Sequence, residues 1–367
     1  MNRTKIIIAI LSSFLAILYL MNFVIYQTVV SILNISGDSF LVIVILGVLG
    51  VSIITALALG MRYYNLFTRS YYLLSMIWLG FLGYFFPVSV LYIALYGYVG
   101  ESSRIFGLML FCSTVIVGIY GLIHANKFII KEITIKLPNL PEAWRDRKAL
   151  WISDIHLGQI YSERYMERIV KKIQEISPDI VFIGGDLYDG TKAPNLDKLI
   201  APLKNLSAPL GIYFITGNHE EFGDNNEFIK AIQSVGILVL QDKMVLIDGL
   251  QLIGVDYTTA SNEEQFKKIL SDLSIDKNKT SILLKHEPKH LHITEQAGIS
   301  LQLSGHTHKA QQWPLGYLAN LIYGRFVYGL NKLKNTQVYT SSGIGTWGPP
   351  IRVGTDSEMV IFNFAIL

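Results

Sequence analysis

Cysteine is nearly missing from this chain of 367 residues, because Cys112 is its only thiol. No disulfide can therefore form within the chain, and neither an oxidising nor a reducing compartment is indicated. Charge is scarce as well, since Asp, Glu, Lys and Arg make up 16% of the residues and apolar ones 51%. This composition is unusual for a water-soluble protein and indicates that part of the chain contacts lipid.

The second part of the chain lacks a basic surplus. From residue 128 onward there are 25 Lys and Arg side chains against 26 Asp and Glu. A nucleic-acid partner is therefore not expected, because binding to phosphate backbones requires clustered positive charge. Up to residue 127 the chain carries six basic and two acidic side chains, and seven of the eight histidines follow that point.

Four long apolar stretches precede residue 127, and about 20 such residues suffice to cross a bilayer core. We expect four transmembrane helices, at about residues 6–30, 40–61, 71–96 and 105–123. The alternative for the first stretch is a signal peptide, but its apolar run is too long and no small-residue cleavage site follows it. No ionisable residue lies near a midplane, which disfavours an ion or proton pathway and favours an anchor.

The basic residues of the short connections predict the orientation. They precede the first helix, separate the second from the third, and follow the fourth: Arg3, Lys5, Arg62, Arg69, Lys127 and Lys131. Because such loops stay in the cytoplasm, we expect a multi-pass protein of the plasma membrane. The domain after residue 127 should then face the cytoplasm.

Residues 128–367 alternate short apolar runs with amphipathic segments, which is typical of an α/β domain. The predicted strands are Ala149–Ser153, Ile180–Gly184, Gly211–Thr216, Ser281–Leu284 and Ser300–Leu303. Apolar residues recur every three to four positions in Glu163–Ile176 and Leu196–Leu206, which predicts helices. The stretch Ile237–Val255 is interpreted as hairpin strands that turn near Asp248 and Gly249.

Polar clusters follow five of these strands, in the segments SDIHLG, GGDLYDG, TGNHEE, KHEP and SGHTH. Residues two apart in a strand point to the same side, so Asp154 with His156, and His306 with His308, can each present two ligands to one point. Mixed carboxylate, imidazole and amide donors suit borderline divalent ions such as Mn, Fe or Zn. The clusters therefore predict a metal site.

The ordered series DxH, GDxxD, GNHE, an isolated His and GHxH resembles the calcineurin-like metallophosphoesterase superfamily across essentially all of residues 128–367. The resemblance implies two packed mixed sheets flanked by helices. It also implies hydrolysis of a phosphomonoester, phosphodiester or diphosphate by metal-activated water, with two divalent ions of which Mn is favoured.

The resemblance further assigns roles to single residues. One metal would be held by Asp154, His156, Asp186 and His308. The other would be held by Asp186, Asn218, His286 and His306. His219 would act on the leaving oxygen as a catalytic residue, with Glu220 orienting it. Asp189 would orient groups next to the ligands and would not bind metal itself.

A narrower resemblance to a bacterial YkuE-like branch lies in AQQWPLG, YGL and SSGIGTWGPPIRVG. That branch usually has GHTHGGQ, whereas this chain has Lys309 and Ala310 in place of the two glycines. Lys309 and Arg352 are candidate substrate contacts.

The substrate itself is open at this point, and so is the oligomeric state. A phosphate ester in a lipid is favoured, because the fourth helix ends near Ile123 and the first strand is expected at Glu132–Lys136, close to the bilayer. Apolar residues are expected at the lipid interface, namely Trp313, Leu315, Leu318, Ile322 and Trp347. A nucleotide phosphodiester is the second choice, and a catalytically silent membrane scaffold or receptor is the alternative function.

Overall fold

The computed structural model describes residues 3–35, 39–99, 103–191, 196–222 and 225–366. The chain divides into two compact units, Met1–Ile123 with Gly348–Ile351 and His124–Trp347 with Arg352–Leu367. The domain boundary placed at residue 127 stays a prediction, because a compact backbone does not establish that either part folds alone.

The first unit contains the four predicted apolar helices. They are α1 (Arg3–Leu33), α2 (Phe40–Gly60), α3 (Leu66–Val99) and α4 (Ser103–Ala125). Each is long and apolar enough to cross a membrane. Helix α3 begins five residues before the predicted start, because Asn65 caps it: Asn65 Oδ1 accepts the Thr68 N–H, and Thr68 Oγ1 accepts the Asn65 N–H.

The second unit alternates strands and helices. Its strands are β1 (Phe128–Leu137), β2 (Lys148–Ile152), β3 (Ile180–Ile183), β4 (Ile212–Phe214), β5 (Leu238–Val239), β6 (Lys243–Ile247), β7 (Leu250–Gly254), β8 (Ser281–Leu284), β9 (Leu301–Ser304), β10 (Gly329–Leu333), β11 (Thr336–Thr340) and β12 (Ser357–Ile366). Its helices are α5 (Glu163–Ile176), α6 (Leu196–Ile200), α7 (Asn225–Ser234), α8 (Tyr257–Ser261), α9 (Glu263–Asp272), α10 (Leu291–Gln296) and α11 (Gly316–Tyr323).

These strands form two six-stranded mixed sheets. The first has the order β1-β12-β2-β3-β4-β5 and the second the order β10-β11-β9-β8-β7-β6. The strands β2, β3 and β4 run parallel, and so do β7, β8, β9 and β11. The carboxyl ends of parallel neighbours meet at one edge, so each sheet gathers the loops that follow its strands.

The two sheets pack face to face around large side chains such as Trp151, Phe182, Tyr339 and Phe362, all fully buried. Helix α5 covers the outer face of the first sheet, and helices α9 and α10 cover that of the second. The expected α/β fold with two packed mixed sheets flanked by helices is confirmed.

Two details differ from the sequence-based expectation. The helix predicted over 196–206 is α6 followed by a 3-10 turn at Ala201–Asn205, because Pro202 has no N–H to continue the α-helix. The predicted turn at Asp248 and Gly249 joins β6 to β7, but the start of that stretch, β5, pairs with β4 in the other sheet.

Candidate metal centre

The polar clusters lie in the loops that follow β2, β3, β4, β8 and β9. Backbone hydrogen bonds join the first two of these loops. The Asp154 N–H donates to the Gly185 carbonyl and the His156 N–H to the Asp186 carbonyl, each at a distance of 3.0 Å. Asp154 Oδ1 accepts the His306 N–H at 2.9 Å, which joins a loop of the first sheet to a loop of the second. The site is thus built where the loops of both sheets meet.

One group of metal-donor atoms comes from Asp154, His156 and His308, whose atoms all lie within 4.8 Å of one another. The Nε2 atoms of His156 and His308 are 3.0 Å apart, and His308 Nε2 is 3.6 Å from Asp154 Oδ1. Two imidazole nitrogens and a carboxylate oxygen therefore face one point, as a divalent ion requires.

A second group comes from Asp186, His286 and His306, and a third, His156 with Asp186 and His219, shares a residue with each of the first two. His286 Nε2 lies 3.2 Å from Asp186 Oδ2, and Asn218 Oδ1 lies 2.9 Å from His306 Nδ1. The carboxylate of Asp186 also faces the first group, because its Oδ2 atom is 3.8 Å from His156 Nε2. Asp186 therefore lies between the two groups of donor atoms.

The protonation of these side chains fits metal binding. Burial and the neighbouring imidazoles lower the pKa of His156 to about 3 and that of His306 to about 4, so both carry a lone pair at neutral pH. Burial raises the pKa of Asp154 to about 6, and its buried Oδ2 atom has no hydrogen-bond partner among the described residues. A buried carboxylate oxygen without such a partner, beside imidazoles that are neutral at pH 7, fits a site that holds a cation.

His286 differs from the other histidines. Burial lowers its pKa, but the charges of Asp186 and Asp154 outweigh this effect and raise the pKa to about 10. Burial likewise raises the pKa of Asp186, and the charge of His286 outweighs that effect and lowers it. Without metal the two side chains form an ion pair, and a bound metal ion would take the place of the His286 proton.

The backbone around the ligands is strained. Five of the expected ligands have left-handed backbone, with φ angles of 48° to 69°: Asp154, His156, Asp186, His306 and His308. Such a conformation costs about 1–3 kcal/mol in a residue other than glycine and is frequent at functional sites. Glycine is required next to them, because a Cβ atom on Gly217 would lie 2.2 Å from Asp186 Oδ1 and one on Gly305 would lie 2.3 Å from Asp154 Oδ2.

The expected pairing of Glu220 with the His219 ring is not what holds that ring. Both oxygens of the buried Glu220 carboxylate accept backbone N–H groups, from Asp186, Leu187, Tyr188 and Gly217, over 2.6–3.2 Å. The His219 ring is oriented from its Nδ1 side by the carbonyl of Asp189, at 2.8 Å. Glu220 therefore fixes the two ligand-bearing loops, since four donors converge on its charge.

The two candidate substrate contacts lie in different surroundings. Lys309 is half-buried, with Nζ 4.5 Å from the centre of the Tyr328 ring. Arg352 is fully buried, and its guanidinium donates to the carbonyls of Ser342, Gly345 and Asp356 over 2.6–2.9 Å. The arrangement supports a role for Arg352 in holding the loop that follows β11 rather than in contacting substrate.

Glu287 is a site residue that the sequence reasoning missed. Its Oε1 atom lies 3.5 Å from His306 Nε2 and accepts the Tyr323 hydroxyl at 2.7 Å. A carboxylate on this side leaves His306 Nδ1 facing Asn218, which is the orientation that a metal ligand needs. Its place directly after His286, in KHEP, was the available signal.

Comparison with known proteins agrees with this geometry. Residues 147–310 match the family model described as calcineurin-like phosphoesterase. An uncharacterised metallophosphoesterase of Campylobacter jejuni is 33% identical over 238 residues, which cover 64% of this chain and 62% of that protein. A zebrafish transmembrane protein with a metallophosphoesterase domain is 32% identical, with 67% of this chain and 60% of that protein covered. The match thus spans less than two thirds of these two relatives.

Two further bacterial relatives are covered more fully. An uncharacterised metallophosphoesterase of Aquifex aeolicus is 30% identical over 259 residues, which cover 67% of this chain and 95% of that protein. YkuE of Bacillus subtilis is 29% identical over 63% of this chain and 84% of its own length, in agreement with the expected resemblance to that branch. The chain belongs to the calcineurin-like metallophosphoesterase family.

Proposed function

We propose that this protein is a membrane-anchored phosphoesterase that uses two divalent metal ions to hydrolyse a phosphomonoester, a phosphodiester or a diphosphate. The position of Asp186 carries the proposal, because its carboxylate faces both groups of donor atoms. A carboxylate shared by two cation sites is typical of two-metal hydrolases.

The proposed ligand sets follow the two groups of donor atoms. Asp154, His156, Asp186 and His308 hold one ion, and Asp186, Asn218, His286 and His306 hold the other. When bound, the ions neutralise phosphoryl charge and lower the pKa of a water molecule. We favour Mn among Mn, Fe and Zn, because the donors mix imidazole, carboxylate and amide groups.

His219 is the proposed catalytic acid. The Asp189 carbonyl accepts the His219 Nδ1 proton at 2.8 Å, so the other ring nitrogen faces the space beside Asp186, with Nε2 4.0 Å from Asp186 Oδ2. When both ring nitrogens are protonated, a ring held in this way delivers the Nε2 proton to the leaving oxygen and becomes neutral, or it donates a hydrogen bond from Nε2 to a phosphoryl oxygen.

The proposed substrate is a phosphate ester carried by a lipid, either a phospholipid or a lipid-linked diphosphate. Helix α4 ends at Ala125 and β1 begins at Phe128, so the chain leaves only two residues between a membrane-spanning helix and the catalytic domain. A domain tethered so closely meets lipid head groups at high effective concentration. A soluble nucleotide phosphodiester is the second choice.

Metal-dependent hydrolysis is tested first, on the full-length protein in nanodiscs. With Mn, it is expected to hydrolyse bis-nitrophenyl phosphate and to lose this activity after chelation, with two metal ions per chain counted by elemental analysis. Full activity after confirmed metal removal contradicts the proposal. Two bound ions without hydrolysis of a monoester, diester and diphosphate panel would favour the silent scaffold instead.

The substrate class is tested separately. The full-length enzyme in liposomes is compared on extracted lipid phosphates and on soluble nucleotide diesters, and kcat/KM is measured for each. We expect higher kcat/KM for a lipid phosphate. Far faster turnover of the nucleotide diesters contradicts the lipid proposal and leaves the metal chemistry standing.

We also propose that the catalytic domain faces the cytoplasm, across the plasma membrane from the connection between α1 and α2. In a Cys112→Ser background, Lys277→Cys should resist a membrane-impermeant thiol reagent in intact cells, whereas the matched variant Ile35→Cys should react. Both positions are exposed. The reverse labelling pattern would show the opposite orientation.

A further inference from the structure

Helix α11 presents an apolar surface that the rest of its domain leaves uncovered. None of the side chains of this eight-residue helix is buried among the described residues. Leu318, Leu321 and Ile322 are 60%, 83% and 68% exposed, and Trp313, Leu315 and Tyr317 next to them are exposed as well. Single exposed apolar residues are ordinary, but six of them within residues 313–322 indicate a surface that binds something.

The charge of the surrounding segment suggests what covers this surface. No acidic residue occurs between Glu295 and Asp356, a stretch that contains Lys309, Arg325 and Lys332, whereas the charge of Lys334 is paired with Glu295 at 3.0 Å. Apolar side chains flanked by cations, with a Trp at the edge, are the composition of helices that lie in the head-group region of anionic membranes. A protein partner would not require this one-sided charge.

The short connection from α4 tethers the catalytic domain close to the membrane. Only residues 126 and 127 separate α4 from β1, and a fully extended chain spans about 3.5 Å per residue. The catalytic domain therefore stays next to the bilayer, so weak interfacial binding by a short helix is made effective by the tether.

The C-terminal end of α11 contacts the candidate metal centre through Glu287. Its last residue, Tyr323, donates its hydroxyl to Glu287 at 2.7 Å, and Glu287 is 3.5 Å from His306 Nε2. A helix lying in the head-group region would thus place the metal centre near the depth of lipid phosphates.

We propose that the α11 surface, formed by Trp313, Leu315, Tyr317, Leu318, Leu321 and Ile322, docks into the head-group region of an anionic bilayer. It presents the metal centre to phosphate esters at that depth. This inference deepens the proposed function and rests on it for the identity of the substrate, whereas the docking itself stands on the exposed surface, the charge and the tether.

Docking is tested by the depth of a spin label on the full-length protein in phosphatidylglycerol nanodiscs. Cys112→Ser is the background, Leu318→Cys carries the label on α11, and Leu246→Cys is the matched control. Leu246 is 64% exposed on β6, at one edge of the second sheet. Strand β10, which follows α11 in the chain, is at the opposite edge of that sheet, so the control label is on the other edge of the sheet. Collisions with oxygen report lipid, and collisions with a nickel chelate report water.

We expect the oxygen-to-nickel collision ratio at 318 to exceed that at 246 by about fivefold or more, and to fall in phosphatidylcholine nanodiscs. Equal ratios at the two positions overturn the proposal. A label at 318 that is immobile and shielded from both reagents also overturns it, because it shows contact with protein, such as a second copy of the chain.

A charge variant gives a second, functional readout. Leu318→Asp with Leu321→Asp should lower the collision ratio of a label at 322 to that of water, while hydrolysis of bis-nitrophenyl phosphate changes less than twofold. Leu246→Asp is the control. A label at lipid depth in a protein without any hydrolytic activity would contradict the proposed function but support the docking. A water-exposed label in an active enzyme would contradict the docking but support the proposed function.

Discussion

The two regions of the chain use buried polar side chains in different ways. In the apolar helices, several hydroxyls bond within one turn: Thr28 donates to the Val24 carbonyl, Ser75 to that of Tyr71 and Thr114 to that of Leu110. In the candidate metal centre, partners lie far apart in sequence, as His156 and His308 do at 152 residues. Locally satisfied groups tolerate lipid, whereas distant donors that converge require a fold that holds them there.

This difference separates the proposed membrane anchor from the proposed catalytic site. A helix whose polar groups are satisfied within one turn can be changed at one position with little consequence. A site whose carboxylates and imidazoles face one another cannot, because each member compensates the charge of another. The effects of single substitutions on activity should therefore differ by orders of magnitude between the two regions.

The largest effect is expected for Asp186→Asn. Replacing the shared carboxylate by an amide removes a negative charge from both proposed metal sites, so we expect activity to fall on the order of 10³-fold. Metal content should fall as well, by elemental analysis of the full-length protein. Asp272→Asn, at an exposed position in α9, is the matched control. Unchanged metal content in the Asp186 variant would contradict its place as a bridging ligand.

His219→Gln should separate chemistry from metal binding. The ring is oriented by the Asp189 carbonyl, and we expect turnover to fall on the order of 10²-fold when the proton donor is lost, while both metals stay bound. Metal content and kcat are measured on the same preparation. A loss of metal as large as that of the Asp186 variant would make His219 a ligand instead.

Glu220→Gln tests whether this carboxylate holds two loops together. The amide presents an NH₂ group toward backbone N–H donors that now bond to the carboxylate, so two or more buried donors lose their acceptor. We expect a loss of about 3 kcal/mol of stability, seen as a lower thermal unfolding midpoint of the catalytic domain. Glu264→Gln, on the exposed start of α9, should leave that midpoint unchanged. A midpoint equal to that of the control would show that water replaces the lost acceptor.

The contrast between short-range and long-range contacts also explains which features were predictable. The strands before Asp154, Asp186 and His286 could be predicted, because each is a short apolar run followed by polar residues. The acceptor role of Glu220 could not, since three of its four N–H donors lie 32 to 34 residues earlier in the chain.

The first and last strands of the catalytic domain also show a feature that the sequence could not predict. Strand β1 pairs in parallel with β12, with Phe128 opposite Ser357, and no local pattern reveals a pairing over more than 200 residues. The surroundings of Arg352 are equally non-local, because its guanidinium bonds to carbonyls brought together only by the folded loop. Ligand types could be predicted from motifs, whereas the residues that position the ligands could not.

Ala310→Gly probes the strain at the site with a smaller expected effect. Ala310 has φ 57°, a left-handed conformation that glycine adopts without penalty. The relief of about 1–2 kcal/mol is partly offset by about 0.4–1 kcal/mol of added entropy in the unfolded chain. We expect a net gain of roughly 0.5–1 kcal/mol in the thermal unfolding of the domain. A loss of stability would indicate that the Ala310 methyl group makes a packing contact worth more than the strain.

The smallest effect is expected for Thr114→Val in α4. Among the described residues, the Thr114 hydroxyl bonds only within its own helix, to a carbonyl that also accepts a helical N–H, and valine has nearly the same shape. We expect a change below about 0.5 kcal/mol in unfolding in detergent and unchanged activity. Thr55→Val is the informative partner, because Thr55 Oγ1 also lies 2.6 Å from the Tyr71 hydroxyl of another helix, and such contacts between membrane helices contribute about 0.6 kcal/mol on average. If Thr114→Val destabilised the helices more than Thr55→Val, or altered turnover, the four helices would do more than anchor the enzyme.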